Sequence, residues 1–225
     1  MTRMAVKPIS ATEAVAATLR ERIFDGGIEP GARLPELELA ADMGVARPTV
    51  RAAIQTLTHE GLLTRERNRS AFVPKLGQDD VMDLFSVRIP LECLIVREVL
   101  ERRVELQGVR SAIARLELLD ARSPWSRVVD ADLGFHRALA HATGSPRLEK
   151  LYLSLGGEIR LCIAQLRPAW PSPAAMALEH RALLDVIESG DVEDAISRMT
   201  AHLQRAVDDL APADKPSRFR RAERA

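Results

Sequence analysis

Two glycines, Gly44 and Gly61, bracket the stretch that most restricts how this chain can fold. Between them, residues 48–60 carry Val50, Ile54 and Leu57 at helical spacing, a narrow apolar stripe on an otherwise polar helix. Arg47, Thr49 and Arg51 stand at the start of that helix, on its outer side. A helix with one buried stripe and a basic, exposed N-terminal end is what a helix-turn-helix lays into the major groove of DNA. Arginine suits the position because its planar fork donates two parallel hydrogen bonds to guanine O6 and N7, and the helix N-terminus itself favours phosphate.

The flanking sequence predicts the rest of the motif. Ser10 and Glu13 have the form of a capping box, Val15, Leu19 and Ile23 follow at helical spacing, and Gly26 and Gly27 end the helix. Pro30 and Gly31 make a turn, and Glu36–Met43 reads as a short second helix. After Gly61, two strand-like runs (Leu62, Leu63, Thr64 and Ala71, Phe72, Val73) flank a polar turn at residues 66–70, the pattern of a small hairpin or wing. Arg65, Arg67 and Arg69 crowd that hairpin. The whole chain has 32 basic and 32 acidic residues and no formal net charge. Between positions 47 and 69, however, five arginines face only Glu60 and Glu66, and DNA needs no more than a local basic surface.

A chain of 225 residues, 46% hydrophobic and 28% charged, is long enough for two ordinary cores. Strand signals stop after Asp79, and helical patterns run over 80–103, 108–120, 128–143, 146–167, 173–189 and 191–210. Ser172 with Pro173, and Gly190 with Asp191, mark helix boundaries. The expected fold is mainly α: a winged helix-turn-helix of three helices and a small β-hairpin over 1–75, a linker at 76–79, an all-helical bundle of six to seven helices over 80–211, and a disordered basic tail over 212–225. The compact bend at Ser123, Pro124 and Trp125 favours six helices. No stretch approaches the roughly 18 apolar residues of a membrane span, and the N-terminus lacks the apolar region of a signal peptide, so a cytoplasmic protein without a membrane partner is expected. Cys93 and Cys162 are spaced for neither a zinc knuckle nor a redox pair and read as core thiols.

Four polar residues fall on otherwise apolar helix faces of the second domain. Asp132 and His136 share a face with Val129, Leu133 and Leu139; His180 lies on the stripe of Met176, Leu184 and Ile187; His202 lies on that of Met199, Leu203 and Ala206. Each would cost free energy to bury alone, and one shared cation would satisfy them together. Three imidazoles and a carboxylate suit a divalent transition metal such as Zn, Ni, Mn or Fe. His141, five residues past His136, is rotated off that face, and His59 reads as a surface residue. Arg88 and Arg160, on helices that line the bundle, are candidates to meet an effector carboxylate or, equally, surface ion-pair partners.

Residues 15–73 resemble the DNA-binding domain of the GntR family of bacterial regulators. The resemblance is carried by PGARL (30–34), ELA (38–40), GVARPTVR (44–51), LTHEGLL (57–63) and RNRSAFV (67–73). It implies DNA contacts from Arg33, Arg47, Thr49 and Arg51, and a wing tip at Arg69 and Ser70. Two residues depart from the family pattern. Ala46 stands where Ser or Thr is common, losing a cap worth about 1 kcal/mol. Ser70 stands where glycine is common, which matters if the wing needs a positive φ or a close backbone approach. The second domain resembles the FadR-type effector domain of the same family, called FCD, through RIPLE (88–92), DLGFHRALAHATGSPRL (132–148), EHRALLDVIESGDVEDA (179–195) and MTAHL (199–203). That resemblance implies Asp132, His136, His180 and His202 as metal ligands and a small organic acid as effector.

Together these features predict a homodimeric, ligand-responsive transcriptional repressor. Its partners are double-stranded operator DNA and a small carboxylate bound near a metal. Two other readings of the same residues stay open. In one the ion itself is the signal; in the other the metal activates water in a hydrolase or lyase. The second lacks an evident general base and leaves the DNA segment without a task.

Overall fold

The computed structural model of the chain describes residues 9–66, 69–165 and 172–211. Arg67 of the wing, residues 166 and 167 at the end of one expected helix, and the basic tail at 212–225 lie outside them. The chain divides into two compact units, Met1–Lys75 and Leu76–Ala225.

The first unit is built from α1 (Ala11–Phe24), β1 (Arg33–Leu34), α2 (Glu36–Met43), α3 (Arg47–His59) and β2 (Ala71–Phe72). Ser10 caps α1 by accepting the Glu13 N–H at 3.1 Å. Gly44 ends α2 with φ 64°, a left-handed conformation that glycine adopts at no steric cost. Leu19 of α1 and Val50, Ile54 and Leu57 of α3 are fully buried, so the stripe read from the sequence is the core of this unit.

The sheet differs from the expected hairpin. β2 pairs with β1, with Arg33 opposite Phe72 and Leu34 opposite Ala71, and the expected pairing to the segment after Gly61 shrinks to one bridge, Thr64 to Phe72. The cause is local. The N–H groups of Leu62 and Leu63 both return to the Leu57 carbonyl, at 3.0 and 3.3 Å, closing the end of α3 instead of entering a ladder. Both side chains are buried in the core.

Ala46 is the N-cap of α3, with extended backbone angles and no side chain able to accept a hydrogen bond. Pro48 has no N–H to cap, and the Thr49 N–H, the donor that a capping hydroxyl would reach, turns to the Ala46 carbonyl at 2.9 Å. Ala46→Ser is therefore expected to stabilise the first unit by about 1 kcal/mol, read as a raised thermal midpoint; an unchanged midpoint would show that the end of α3 is already satisfied.

Among its described residues the regular elements of the second unit are all helices: α4 (Gln78–Arg102), α5 (Gln107–Glu117), α6 (Trp125–Ala142), α7 (Pro146–Gln165), α8 (Pro173–Ser189) and α9 (Val192–Leu210). These are six helices, at the low end of the expected range. α4 begins at Gln78, inside the expected linker, where the Gly77 N–H is taken by the Asp80 carboxylate at 2.7 Å. α6 begins three residues earlier than its pattern suggested, directly after Pro124. Asp191 caps α9 through the Asp194 N–H at 3.0 Å, and Gly190 ends α8 with φ 85°.

Phe85 and Ile95 of α4, Phe135 and Leu139 of α6, Ile159 of α7, Leu183 of α8 and Leu203 of α9 form one apolar core. Set into that unit are buried polar side chains: Arg88, Glu92, Asp132, His136, Thr143 and His180. Cys162 is buried, and burial, with the charges of Asp80 and Glu158, pushes its thiol up to about 12. Cys93 is only half-buried and lies 3.3 Å from the Thr200 hydroxyl, so it is a helix-contact residue of α4 and not the core thiol expected.

Candidate functional site

Two clusters of functional side chains stand out, one in each unit. In the first, Pro35, Glu36, Leu37, Arg47, Arg51, Arg65, Arg69 and Ser70 line an open cleft of about 500 Å³. Of the six residues expected at DNA, Arg47, Arg51, Arg69 and Ser70 share this lining. Arg33 stands on β1, its guanidinium 5.7 Å from the centre of the Phe72 ring and 3.5 Å from the Ser70 carbonyl. Thr49 is half-buried in the first turn of α3. Arg103 is the one non-glycine residue of positive φ among those described, so Ser70 keeps ordinary backbone angles and its lack of a glycine strains nothing.

Glu36 was not foreseen. Its carboxylate accepts from Arg47 Nε at 3.3 Å, Arg51 Nε at 3.0 Å and Arg65 Nη2 at 3.0 Å. Its side chain is 10% exposed, whereas those of Arg47, Arg51 and Arg65 are 56%, 47% and 41% exposed. Burial opposes its ionisation, yet the three guanidinium groups prevail and hold the carboxyl below the ordinary range.

In the second unit α6, α8 and α9 bring three imidazoles to one point. His136 Nε2 lies 3.4 Å from His180 Nε2 and 3.3 Å from His202 Nε2, and all three ligating atoms fall within 4.8 Å of one another. Asp132 Oδ1 is 3.2 Å from His180 Nε2, so all four residues singled out from the sequence meet. Two imidazole nitrogens held about 2.1 Å from one ion at tetrahedral angles stand about 3.4 Å apart, and the two separations from His136 match that edge.

The outward nitrogens explain the tautomers. His136 Nδ1 meets the Glu92 carboxylate at 2.5 Å, His180 Nδ1 the Met176 carbonyl at 2.8 Å, and His202 Nδ1 the Glu179 carboxylate at 2.9 Å. A carbonyl or carboxylate only accepts, so each Nδ1 carries a proton and leaves Nε2 as the ligating atom; at His180 that Nε2 also faces the Asp132 carboxylate at 3.2 Å, and a metal would displace the proton shared there. Three lone pairs directed at one point are a donor set that a divalent cation fits.

The surrounding charges follow the same logic. Burial opposes ionisation of Glu92, but His136 and Arg88 outweigh it and hold the carboxyl at about 2. Asp132 is likewise held well below the carboxylate range, against burial, by His180 and the other histidines. Burial also opposes protonation of His180, and the hydrogen bond and charge of Asp132 raise it nonetheless. His202 is pushed down to about 4, chiefly by burial. The hydrogen bond from His202 leads in lowering Glu179, with Arg205 assisting.

Glu92, Glu179 and Tyr152 belong to this candidate site and were not foreseen from the sequence. The Tyr152 hydroxyl is buried without a hydrogen-bond partner among the described residues. Burial, and then the charge of Glu92, raise its pKa, while Arg88 opposes the rise. Arg88 is itself buried, its Nε 2.6 Å from Glu92 and its guanidinium carbon 5.0 Å from the centre of the Phe85 ring. Arg160 meets Asp130 at 2.6 Å. His141 is 77% exposed and lies against Glu149, apart from the three-histidine group, and His59 is exposed.

A winged helix-turn-helix joined to a helical domain with a buried polar centre is the architecture of a regulator of transcription. Comparison with known proteins agrees. The model of bacterial regulatory proteins of the gntR family matches residues 11–73, and that of the FCD domain matches residues 83–205. The chain belongs to the GntR family, with an FCD domain; it is a DNA-binding transcriptional regulator and not an enzyme. It is similar to the HTH-type transcriptional regulator BphR of Paraburkholderia xenovorans, 30% identical over 88% of this chain and 84% of that one. A D-xylose utilization operon transcriptional repressor of Paenarthrobacter nicotinovorans, named as probable, is 26% identical over 84% and 85%. Among solved structures, a GntR transcriptional regulator from Rhodococcus sp. RHA1 superposes with a TM-score of 0.77 at 31% identity, covering 91% of this chain and 99% of that one.

Proposed function

We propose that the chain is a metal-containing repressor that releases its operator when a small carboxylate binds beside the metal. The observation that carries this reading is the set of three anchored imidazoles, their Nε2 atoms converging next to Asp132. A divalent transition ion held there would offer open coordination positions to a carboxylate. Arg88 and the unpartnered Tyr152 hydroxyl are the groups that would receive the rest of the anion. Arg160 pairs with Asp130, which is half-exposed, and takes no part in this reading. The space beside His180 and His202, lined also by Asp132, Glu179 and Arg205, is only about 50 Å³. An effector larger than one or two waters must therefore displace side chains, and that displacement gives it unequal affinity for two arrangements of the protein.

On DNA, Arg47, Thr49 and Arg51 at the start of α3 read base edges, while Arg33, Arg69 and Ser70 touch the neighbouring backbone. Repression accords with the function named for the Paenarthrobacter relative. A homodimer matches two such helices to two half-sites. Val87 and Leu94, exposed two turns apart on α4, and Leu151 on α7 supply apolar surface for it. No helix among the described residues is long and apolar enough to cross a membrane, and a regulator of this kind works in the cytoplasm.

The test titrates metal-loaded protein on its selected operator with a panel of small mono-, di- and hydroxycarboxylates. At least one acid is expected to weaken operator binding tenfold or more. Unchanged affinity across the panel at saturation would remove the effector reading, because a ligand without differential affinity shifts nothing.

A further inference from the structure

Among the described residues Glu36 is the one acidic side chain lining the cleft that Arg47, Arg51, Arg65 and Arg69 share, and it stands where a count of charges along α3 does not look. We propose that Glu36 is a positioning residue for DNA reading, a carboxylate at the floor of the cleft that holds Arg47, Arg51 and Arg65 by their inner edges and presents their outer edges to the duplex. The inference rests on the reading of α3 as the helix that contacts bases.

The geometry divides the arginines by task. Oε2 takes Arg47 Nε together with Arg51 Nε and Nη2, and Oε1 takes Arg65 Nη2. The contacts crowd Oε2 and leave Oε1 one further acceptor site. Arg47 gives up only its Nε and keeps both Nη groups, the pair needed for a bidentate contact to guanine O6 and N7. Arg51 commits one whole edge to Glu36 and keeps Nη1, enough for a single acceptor on a base edge. Because the carboxylate is largely covered while the arginines are about half-exposed, the edges turned away from Glu36 are the ones a ligand meets.

Three long, rotamer-rich side chains fixed before binding lose less conformational entropy on the operator. They also lose sequence-independent attraction, since one of their charges is neutralised from within. Glu36 thus exchanges affinity for any DNA against preference for one sequence.

Full-length wild type, Glu36→Gln and Arg47→Ala are compared on an array of duplexes carrying every 8-bp sequence, and on mixed-sequence duplex over a range of salt. Glu36→Gln is expected to lower the ratio of best-site to average-site binding tenfold or more. It should also tighten binding to mixed sequence and steepen the salt slope by about 0.9, one phosphate contact more. Arg47→Ala is expected to lower the ratio while weakening all binding. An equal rise of specific and mixed-sequence binding in Glu36→Gln, or a wild-type profile there beside a degraded Arg47→Ala, overturns the proposal and leaves α3 as the reader. A wild-type profile in Arg47→Ala overturns the α3 assignment, and the proposal with it. Should Glu36→Gln fail to fold, Glu36→Asp keeps the charge, shortens the reach, and is expected to lower the ratio at an unchanged salt slope; an unchanged ratio overturns the proposal.

Discussion

Arg88→Met is expected to lower the unfolding free energy of the second unit by about 3–5 kcal/mol, the range for removing one partner of a buried ion pair. The side chains of Arg88 and Glu92 are 3% and 2% exposed, and Arg88 Nε sits 2.6 Å from the carboxylate. Methionine fills much of the same space against Phe85, so packing contributes little to the loss. The cost lies in what remains, a buried Glu92 with only His136 to offset its charge. The same substitution in a Glu92→Gln background should cost much less, because no anion is then left uncompensated. Urea unfolding of the four proteins of this cycle, in chelator throughout, measures both effects. Equal losses in the two backgrounds would show that Arg88 acts through packing and not through charge.

That ion pair also shows how much of the centre was legible. Asp132, His136, His180 and His202 could be found because each interrupts an apolar stripe. Arg88 and Glu92 interrupt one as well: the buried positions of α4 include Val81, Phe85, Arg88, Glu92, Ile95 and Val99, at a continuous helical spacing. An arginine and a glutamate four apart ordinarily read as an exposed pair, and only the register of the apolar residues around them says otherwise. Glu179 was hidden differently. It neighbours His180 in sequence but serves His202, across to α9, and no periodicity within one helix reports such a contact. Tyr152 carried no signal, since a tyrosine on a helix is unremarkable until its hydroxyl is found without a partner.

In the first unit the helices followed from caps, glycines and the apolar stripe, whereas the sheet did not. A strand of two residues at Arg33 has no alternation to read, and its partner Phe72 lies far along the chain. Glu36 escaped for a related reason. Charge was counted along α3 and the wing, but the carboxylate that governs those arginines arrives from α2, through the fold of the turn. Local pattern gives elements and faces. What it leaves out is the polar contact between elements, and both candidate sites are made of such contacts.

His180→Ala should abolish high-affinity metal binding and, with it, a large metal-dependent part of stability. A ligand that binds only the folded state stabilises it by RT ln(1 + [L]/Kd), about 4 kcal/mol at a free concentration of 1,000 Kd. Wild-type protein is therefore expected to melt several degrees higher with Zn, Ni, Mn or Fe than in chelator. His180→Ala should show no such gap, and elemental analysis should find it without stoichiometric metal. Two imidazoles and a carboxylate would remain, but the ring that bridges Asp132 to the other histidines would be gone. A preserved gap in His180→Ala would refute the convergent site. Operator binding in chelator then decides what the ion is for. The Nδ1 anchors at Glu92, Met176 and Glu179 belong to the protein, so the rings keep their orientation whether or not an ion lies between them. A site so preorganised has little shape change to transmit when the ion alone comes and goes. Operator affinity should thus be nearly the same with and without metal in the absence of organic acids, and should depend on metal only once the acid is present. A tenfold change on chelation alone would make the ion the signal.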